Sequence, residues 1–284
     1  MKQKLGFALL SLCIATIVSC NDNSSKPATE QPATEAETKG KQPGLKELDI
    51  DYAGDNVAMK GYVAYDTSLD TKRPAILIIP EWWGLTDYTK MRARELAKLG
   101  YIALAMDMYG NGANTDSPAV AGKWAGQFYT KPLSAKARIE AALVALKSFQ
   151  QTDTGKLAAI GYCFGGAMAL NAARLGEPFK GVVSFHGNLI GVPANKDLLK
   201  AKILVCHGEA DPFVKKEEVA AFKKQMDSIK ADYTFKSYPN ALHAFTNPNA
   251  TALGKKWNLP IAYNGAADTA SWNDMKVFFD TIFK

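Results

Sequence analysis

The stretch Gly161-Tyr162-Cys163-Phe164-Gly165-Gly166 puts one reactive side chain at a strand-to-helix hairpin, and few folds accommodate that. Before it, residues 156–160 form a mostly apolar run that reads as a buried strand. After it, residues 166–174 carry the small and aliphatic side chains of a packed helix. A turn this tight strains the backbone at its centre, and glycines two residues to either side remove side chains that would collide there. Cys163 then projects from a helix N-terminus, where the helix dipole favours a thiolate and unpaired backbone N–H groups face an oxyanion. The competing reading of the pentapeptide is a glycine-rich packing joint with an incidental cysteine.

The beginning of the chain stands apart from fold reasoning. Residues 1–4 are basic and residues 5–18 are apolar, a run too short to span a bilayer, as in a cleaved secretory signal. The ending Ile17-Val18-Ser19-Cys20 resembles a bacterial lipobox, which implies cleavage before Cys20 and lipid on that residue. The expected location is therefore the bacterial cell envelope, with Cys20 as the membrane anchor. Residues 20–44, rich in Thr, Glu, Pro and Ala, read as a flexible tether. Removing residues 1–19 takes away two lysines and no acid, so the net charge falls from +6 to +4. The remaining lysines are scattered in pairs, unlike the clustered face that nucleic-acid binding needs.

From residue 45 to 284 strands and helices alternate, which predicts one α/β domain with an open, mostly parallel sheet and helices on both faces. Residues 45–52 and 57–65 read as a hairpin, and residues 75–79 as a central parallel strand. Helices are expected at 87–99, 134–151, 215–230 and 272–283. Further strands are expected at 101–108, 181–185, 203–206 and 233–238. Ligands in such sheets bind at the carboxyl ends of the strands, where Glu81, Cys163, His186, Asp211 and His243 all fall. Cys163 and Cys206 would then stand two strands apart, about 10 Å, too far for a disulfide.

An elbow nucleophile needs a base to take its proton and an acid to orient that base. The order nucleophile, acid, histidine is that of the α/β-hydrolases. His243 follows a strand near the end of the chain and suits the base. Asp211, in His207-Gly208-Glu209-Ala210-Asp211, suits the acid, with Glu209 the nearby competitor. Over residues 45–284 the chain resembles the dienelactone hydrolase family. The resemblance rests on Pro80-Glu81-Trp82-Trp83-Gly84, the Cys163 elbow, His207-Gly208-x-x-Asp211 and His243-Ala244-Phe245. It implies a carboxylic ester or lactone hydrolase with Cys163 as nucleophile, His243 as base, Asp211 as orienter and Glu81 as a carboxylate that gates the thiol. The backbone N–H groups of Trp82 and Phe164 would form the oxyanion hole. The setting of Glu81, after four aliphatic residues and Pro80 and before two tryptophans, would raise its pKa by burial.

In one respect the chain departs from that family. Its members grip a substrate carboxylate with two arginines, one before the elbow and one just after the histidine. Here residues 111–133 contain no arginine, and His243 is followed by Ala244-Phe245-Thr246-Asn247. Lys123 is the candidate replacement, and Trp83, His186 and Phe245 complete the expected substrate pocket. The alternating His207, Glu209 and Asp211 mimic a metal site weakly; the reading expects no metal, no cofactor and a monomer. Trp124, Phe128, Tyr263 and Trp272 are pocket or core candidates. An acyltransferase or peptidase on the same triad, and a binding lipoprotein without catalysis, are the competing functions.

Overall fold

The computed structural model describes residues 36–37 and 44–284. The expected signal, the expected lipid site at Cys20 and nearly all of the expected tether lie outside the described residues. Within the tether's span a two-residue strand, β1 (Ala36–Glu37), pairs antiparallel with β2 (Leu45–Gly54).

β2 and β3 (Val57–Asp66) form a ten-residue-long hairpin closed by Asp55 and Asn56, both at positive φ. The remaining strands are β4 (Arg73–Ile79), β5 (Ile102–Ala105), β6 (Thr152–Tyr162), β7 (Gly181–Phe185), β8 (Lys202–Gly208) and β9 (Tyr233–Tyr238). They join one sheet in the order β1-β2-β3-β5-β4-β6-β7-β8-β9. From β5 to β9 every pairing is parallel, and β3 joins β5 antiparallel. The chain passes from β3 across β5 to β4, which lies beside the elbow strand β6, so Glu81 and Cys163 leave the sheet from adjacent strand ends.

Both faces of the sheet are covered. In β4, Ile76 and Ile78 point into one apolar layer, and Ala75, Leu77 and Ile79 into the other. The first layer is capped by α1 (Asp87–Lys98) and α7 (Gly265–Ile282), the second by α3 (Pro132–Lys147), α4 (Phe164–Arg174) and α5 (Lys216–Ser228). Strand side chains alternate between faces with a period of two, so each apolar run serves both layers.

Several boundaries differ from the sequence expectation for local reasons. The strand expected over 101–108 stops at Ala105 because the Asp107 carboxylate accepts backbone N–H bonds from Lys60, Tyr109, Gly110 and Gly112, which bends the chain away. The last helix begins seven residues early, capped by Asn264, whose Oδ1 accepts from the Ala267 N–H at 3.1 Å. Two helices were not expected at all: α2 (Pro118–Thr130) and α6 (Ala250–Trp257). Gly122 and Gly126 weaken the helical signal of α2, yet Pro118 at its first turn and buried Ala121, Ala125 and Phe128 show the helical spacing.

Candidate active site

The elbow geometry follows from its glycines. Cys163 sits at φ 54°, ψ −120°, a conformation that a non-glycine residue holds only at a cost of order 1–3 kcal/mol. A Cβ on Gly161 would lie 2.1 Å from the Gly165 carbonyl oxygen, and one on Gly165 would lie 2.2 Å from the Ile79 carbonyl oxygen. Only hydrogen at these two positions lets α4 start hard against β4 and β6. The Cys163 backbone N–H is held twice, by the Phe185 carbonyl at 2.9 Å and by His186 Nδ1 at 3.1 Å. Among the described residues, no acceptor pairs with the backbone N–H of Trp82 or of Phe164, the first residue of α4.

His243 follows β9 and is buried. Its Nδ1 bonds Asp211 Oδ2 at 2.8 Å, and Asp211 Oδ1 accepts from the Phe213 N–H at 2.8 Å, so the aspartate is fixed by its own loop. The competitor Glu209 is solvent-exposed and His207 packs on Phe235. Among the described residues no three His, Cys, Asp or Glu side chains gather as a metal site. Burial alone would favour neutral His243. The negative charge of Cys163, the Asp211 hydrogen bond and the hydrogen bond with Cys163 outweigh it and push the ring up to about 10. His243 is thus held cationic beside the sulfur.

Glu81 is 2 % exposed. Burial raises its pKa to about 7, against the lowering effects of the Asn247 hydrogen bond and the positive charges of His243 and Arg92. Asn247 Nδ2 donates to Glu81 Oε2 at 2.7 Å. The sequence reading missed Asn247 as a partner. Its signal was present, since this is the residue that stands in the stretch after His243 where the resembling family carries an arginine.

A cavity of about 700 Å³ opens over Cys163. Its walls include Trp82, Trp83, Tyr129, Phe164, Phe213 and Ile261, together with Glu81, Glu218 and His243. Helix α2 supplies one wall through Gly122, Ala125, Gly126 and Tyr129, so missing that helix also meant missing Tyr129.

Three expected pocket residues are corrected. Lys123 is exposed and does not line the cavity, because it lies about 100° around α2 from its neighbour Gly122, which does. His186 is 1 % exposed and sits beneath the elbow rather than in the wall, its ring 5.3 Å from that of His243. Phe245 is wholly buried against His186 and Tyr238, while the preceding Ala244 faces the cavity. Trp83 does line the cavity. Trp124 and Phe128, both on α2, pack tilted against Tyr109, and Trp272 packs on Arg92.

Comparison with known proteins agrees with this architecture. The dienelactone hydrolase family model matches residues 59–283. The crystal structure of a dienelactone hydrolase-like promiscuous phosphotriesterase from metagenomic libraries is 33 % identical, with a TM-score of 0.79, over 84 % of this chain and 99 % of that one. An uncharacterized Caenorhabditis elegans protein is 37 % identical over 152 residues, covering 52 % of this chain and 94 % of its own. A protein of Aquifex aeolicus strain VF5, provisionally named a carboxymethylenebutenolidase, is 29 % identical over 203 residues, or 70 % of this chain and 86 % of its own. With the family model spanning the catalytic sheet from β3 to the end of α7, the chain belongs to the dienelactone hydrolase family.

Proposed function

We propose that this carboxylic ester hydrolase cleaves uncharged esters or lactones through a Cys163–His243–Asp211 triad and a thioester intermediate. The observation that carries the reading is the 2.8 Å Asp211–His243 bond beside a strained Cys163 elbow. In the resting site His243 carries a proton beside the Cys163 sulfur. The sulfur attacks the carbonyl carbon, and the oxyanion so formed accepts from the N–H groups of Trp82 and Phe164. Collapse breaks the ester C–O bond, His243 gives its proton to the departing alkoxide, and an acyl–Cys163 thioester remains. His243, now neutral, takes a proton from water, whose oxygen attacks the thioester and releases the acid and the thiolate. Asp211 keeps the histidine tautomer and its orientation throughout. Glu81, its pKa raised to about 7 by burial, changes charge near neutrality beside the Cys163–His243 pair and so gates the sulfur's reactivity.

The cavity argues for the substrate class. Among the described residues no lysine or arginine lines it, whereas two carboxylates, Glu81 and Glu218, do. Without a guanidinium fork, a substrate carboxylate gains no bidentate partner in this cavity. Kinetics on a matched lactone pair, with and without a carboxylate, should favour the neutral member in kcat/KM by roughly 10–200-fold, about 1–3 kcal/mol. Preference for the carboxylate-bearing member, or no turnover of either, would refute the reading.

Localisation at the cell envelope forms part of the same proposal, supported by the lipobox-like ending at Cys20. Several acyl chains hold a protein at a membrane where one does not. Expression of Cys20→Ser in a bacterial host should move the protein from the membrane fraction to the soluble fraction; unchanged partitioning would remove the anchor from the proposal.

A further inference from the structure

Beneath the nucleophile lies a buried polar chain that the reaction above does not use. The Cys163 N–H donates to His186 Nδ1, so this nitrogen carries no hydrogen. Burial, reinforced by the nearby positive charge of His243, lowers the His186 pKa well below its ordinary value and keeps the ring neutral. A neutral ring with an unprotonated Nδ1 bears its hydrogen on Nε2, which therefore donates to Thr246 Oγ1 at 2.7 Å. The same hydroxyl meets Tyr88 OH at 2.6 Å. The Thr246 carbonyl accepts from Arg92 Nη2 at 2.8 Å, and Arg92 also pairs with Asp268 on α7.

We propose that His186 and Thr246 form a positioning tie that sets the distance between the Cys163 elbow and the loop carrying His243 and Asn247. This inference rests on Cys163 being the nucleophile. Thr246 lies three residues after His243 and immediately before Asn247, so one short loop carries the base, the tie and the partner of Glu81. The backbone of this loop is tied to residues 261–264 by the His243 and Phe245 carbonyls, and the Thr246 hydroxyl ties it to the elbow side. Cys163 and His186 both hold positive φ, at 54° and 41°, and the hydrogen bond joins these two strained strand ends to each other. Neutral imidazole suits the place because it accepts on one nitrogen and donates on the other across a rigid ring. A buried hydrogen-bonded network of this kind favours a single geometry. Neither residue touches substrate; both act through Cys163 and His243.

Thr246→Val removes the hydroxyl at nearly constant shape, and Thr246→Ser restores it. With a neutral chromogenic ester, Thr246→Val should lower kcat by about 10–100-fold, because a misplacement near 1 Å costs about that much, while KM stays within about twofold. Thr246→Ser should remain within about threefold of the wild type. His186→Asn keeps an acceptor near Cys163 but does not reach Thr246, and it should behave as Thr246→Val does. If Thr246→Val does not fold, His186→Asn carries the same thresholds, with melting curves confirming a folded protein. Folded Thr246→Val or His186→Asn protein with wild-type kcat would overturn the tie. The rate of Cys163 alkylation by iodoacetamide is measured in parallel. A wild type that alkylates rapidly but turns over no ester would sink the hydrolase mechanism. An alkylation rate unchanged in both variants, with kcat also unchanged, would sink the tie itself.

Discussion

Cys163→Ala is expected to lower ester turnover by about three orders of magnitude or more, because members of a triad act as a unit and losing one forfeits nearly the whole of its effect. Cys206, the other cysteine among the described residues, provides the control. Cys206 is fully buried on β8, burial raises its thiol to about 12, and Tyr238 OH lies 3.5 Å from its sulfur. A thiol so placed is protonated and unreachable at neutral pH. Cys163 is part-exposed at the cavity floor, next to a cationic His243. Iodoacetamide should therefore modify Cys163 and leave Cys206 unmodified, and it should abolish activity. Cys206→Ser should keep most of the activity. Rapid quenching with a slowly deacylated ester, followed by intact mass, should show one acyl group that disappears in Cys163→Ala. Label on Cys206, or full activity in Cys163→Ala, would move the chemistry to another residue.

The parts of this site that were legible in the sequence are those with strong local signatures. Gly161 and Gly165 flank the elbow because no larger residue fits there, and that constraint is visible as a pattern of glycines. Asp211 and His243 follow strands whose apolar runs mark their own ends, so both fall at the correct edge of the sheet. The pocket walls were less legible. Whether Gly122 or Lys123 faces the cavity depends on the rotation of α2, a helix that its glycines conceal from a propensity reading. His186 and Phe245 were placed in the pocket because they follow strands at the right edge. The tertiary packing turns both beneath it, against each other at 5.2 Å. The Glu81–Asn247 pair joins residues 166 positions apart, and no local pattern encodes such a contact.

Glu81 should also leave a mark on stability. In the unfolded chain its carboxyl titrates near the ordinary 4.5, whereas burial in the native site raises it to about 7. The native state thus binds this proton more tightly than the unfolded state does. Below about pH 4.5 both states are protonated and the native fold bears no ionisation penalty. As pH rises through the window to about 7, the unfolded chain releases its proton first and native stability falls. Above that window the full penalty of holding a buried carboxylate remains, roughly 3 kcal/mol. Glu81→Gln retains an oxygen for the Asn247 amide and carries no charge at any pH. Its stability relative to the wild type, measured by urea unfolding, should therefore be about 2–3 kcal/mol greater at pH 8 than at pH 5. Other ionisable groups titrate in both proteins and largely cancel in the difference. The same substitution should depress turnover, since the ionisable carboxyl beside the Cys163–His243 pair is gone, and the gain in stability measures what the native fold gives up to keep it there. A Glu81→Gln advantage that is equal at the two pH values would mean that Glu81 ionises normally in the fold, and its part in gating the thiol would fall with it.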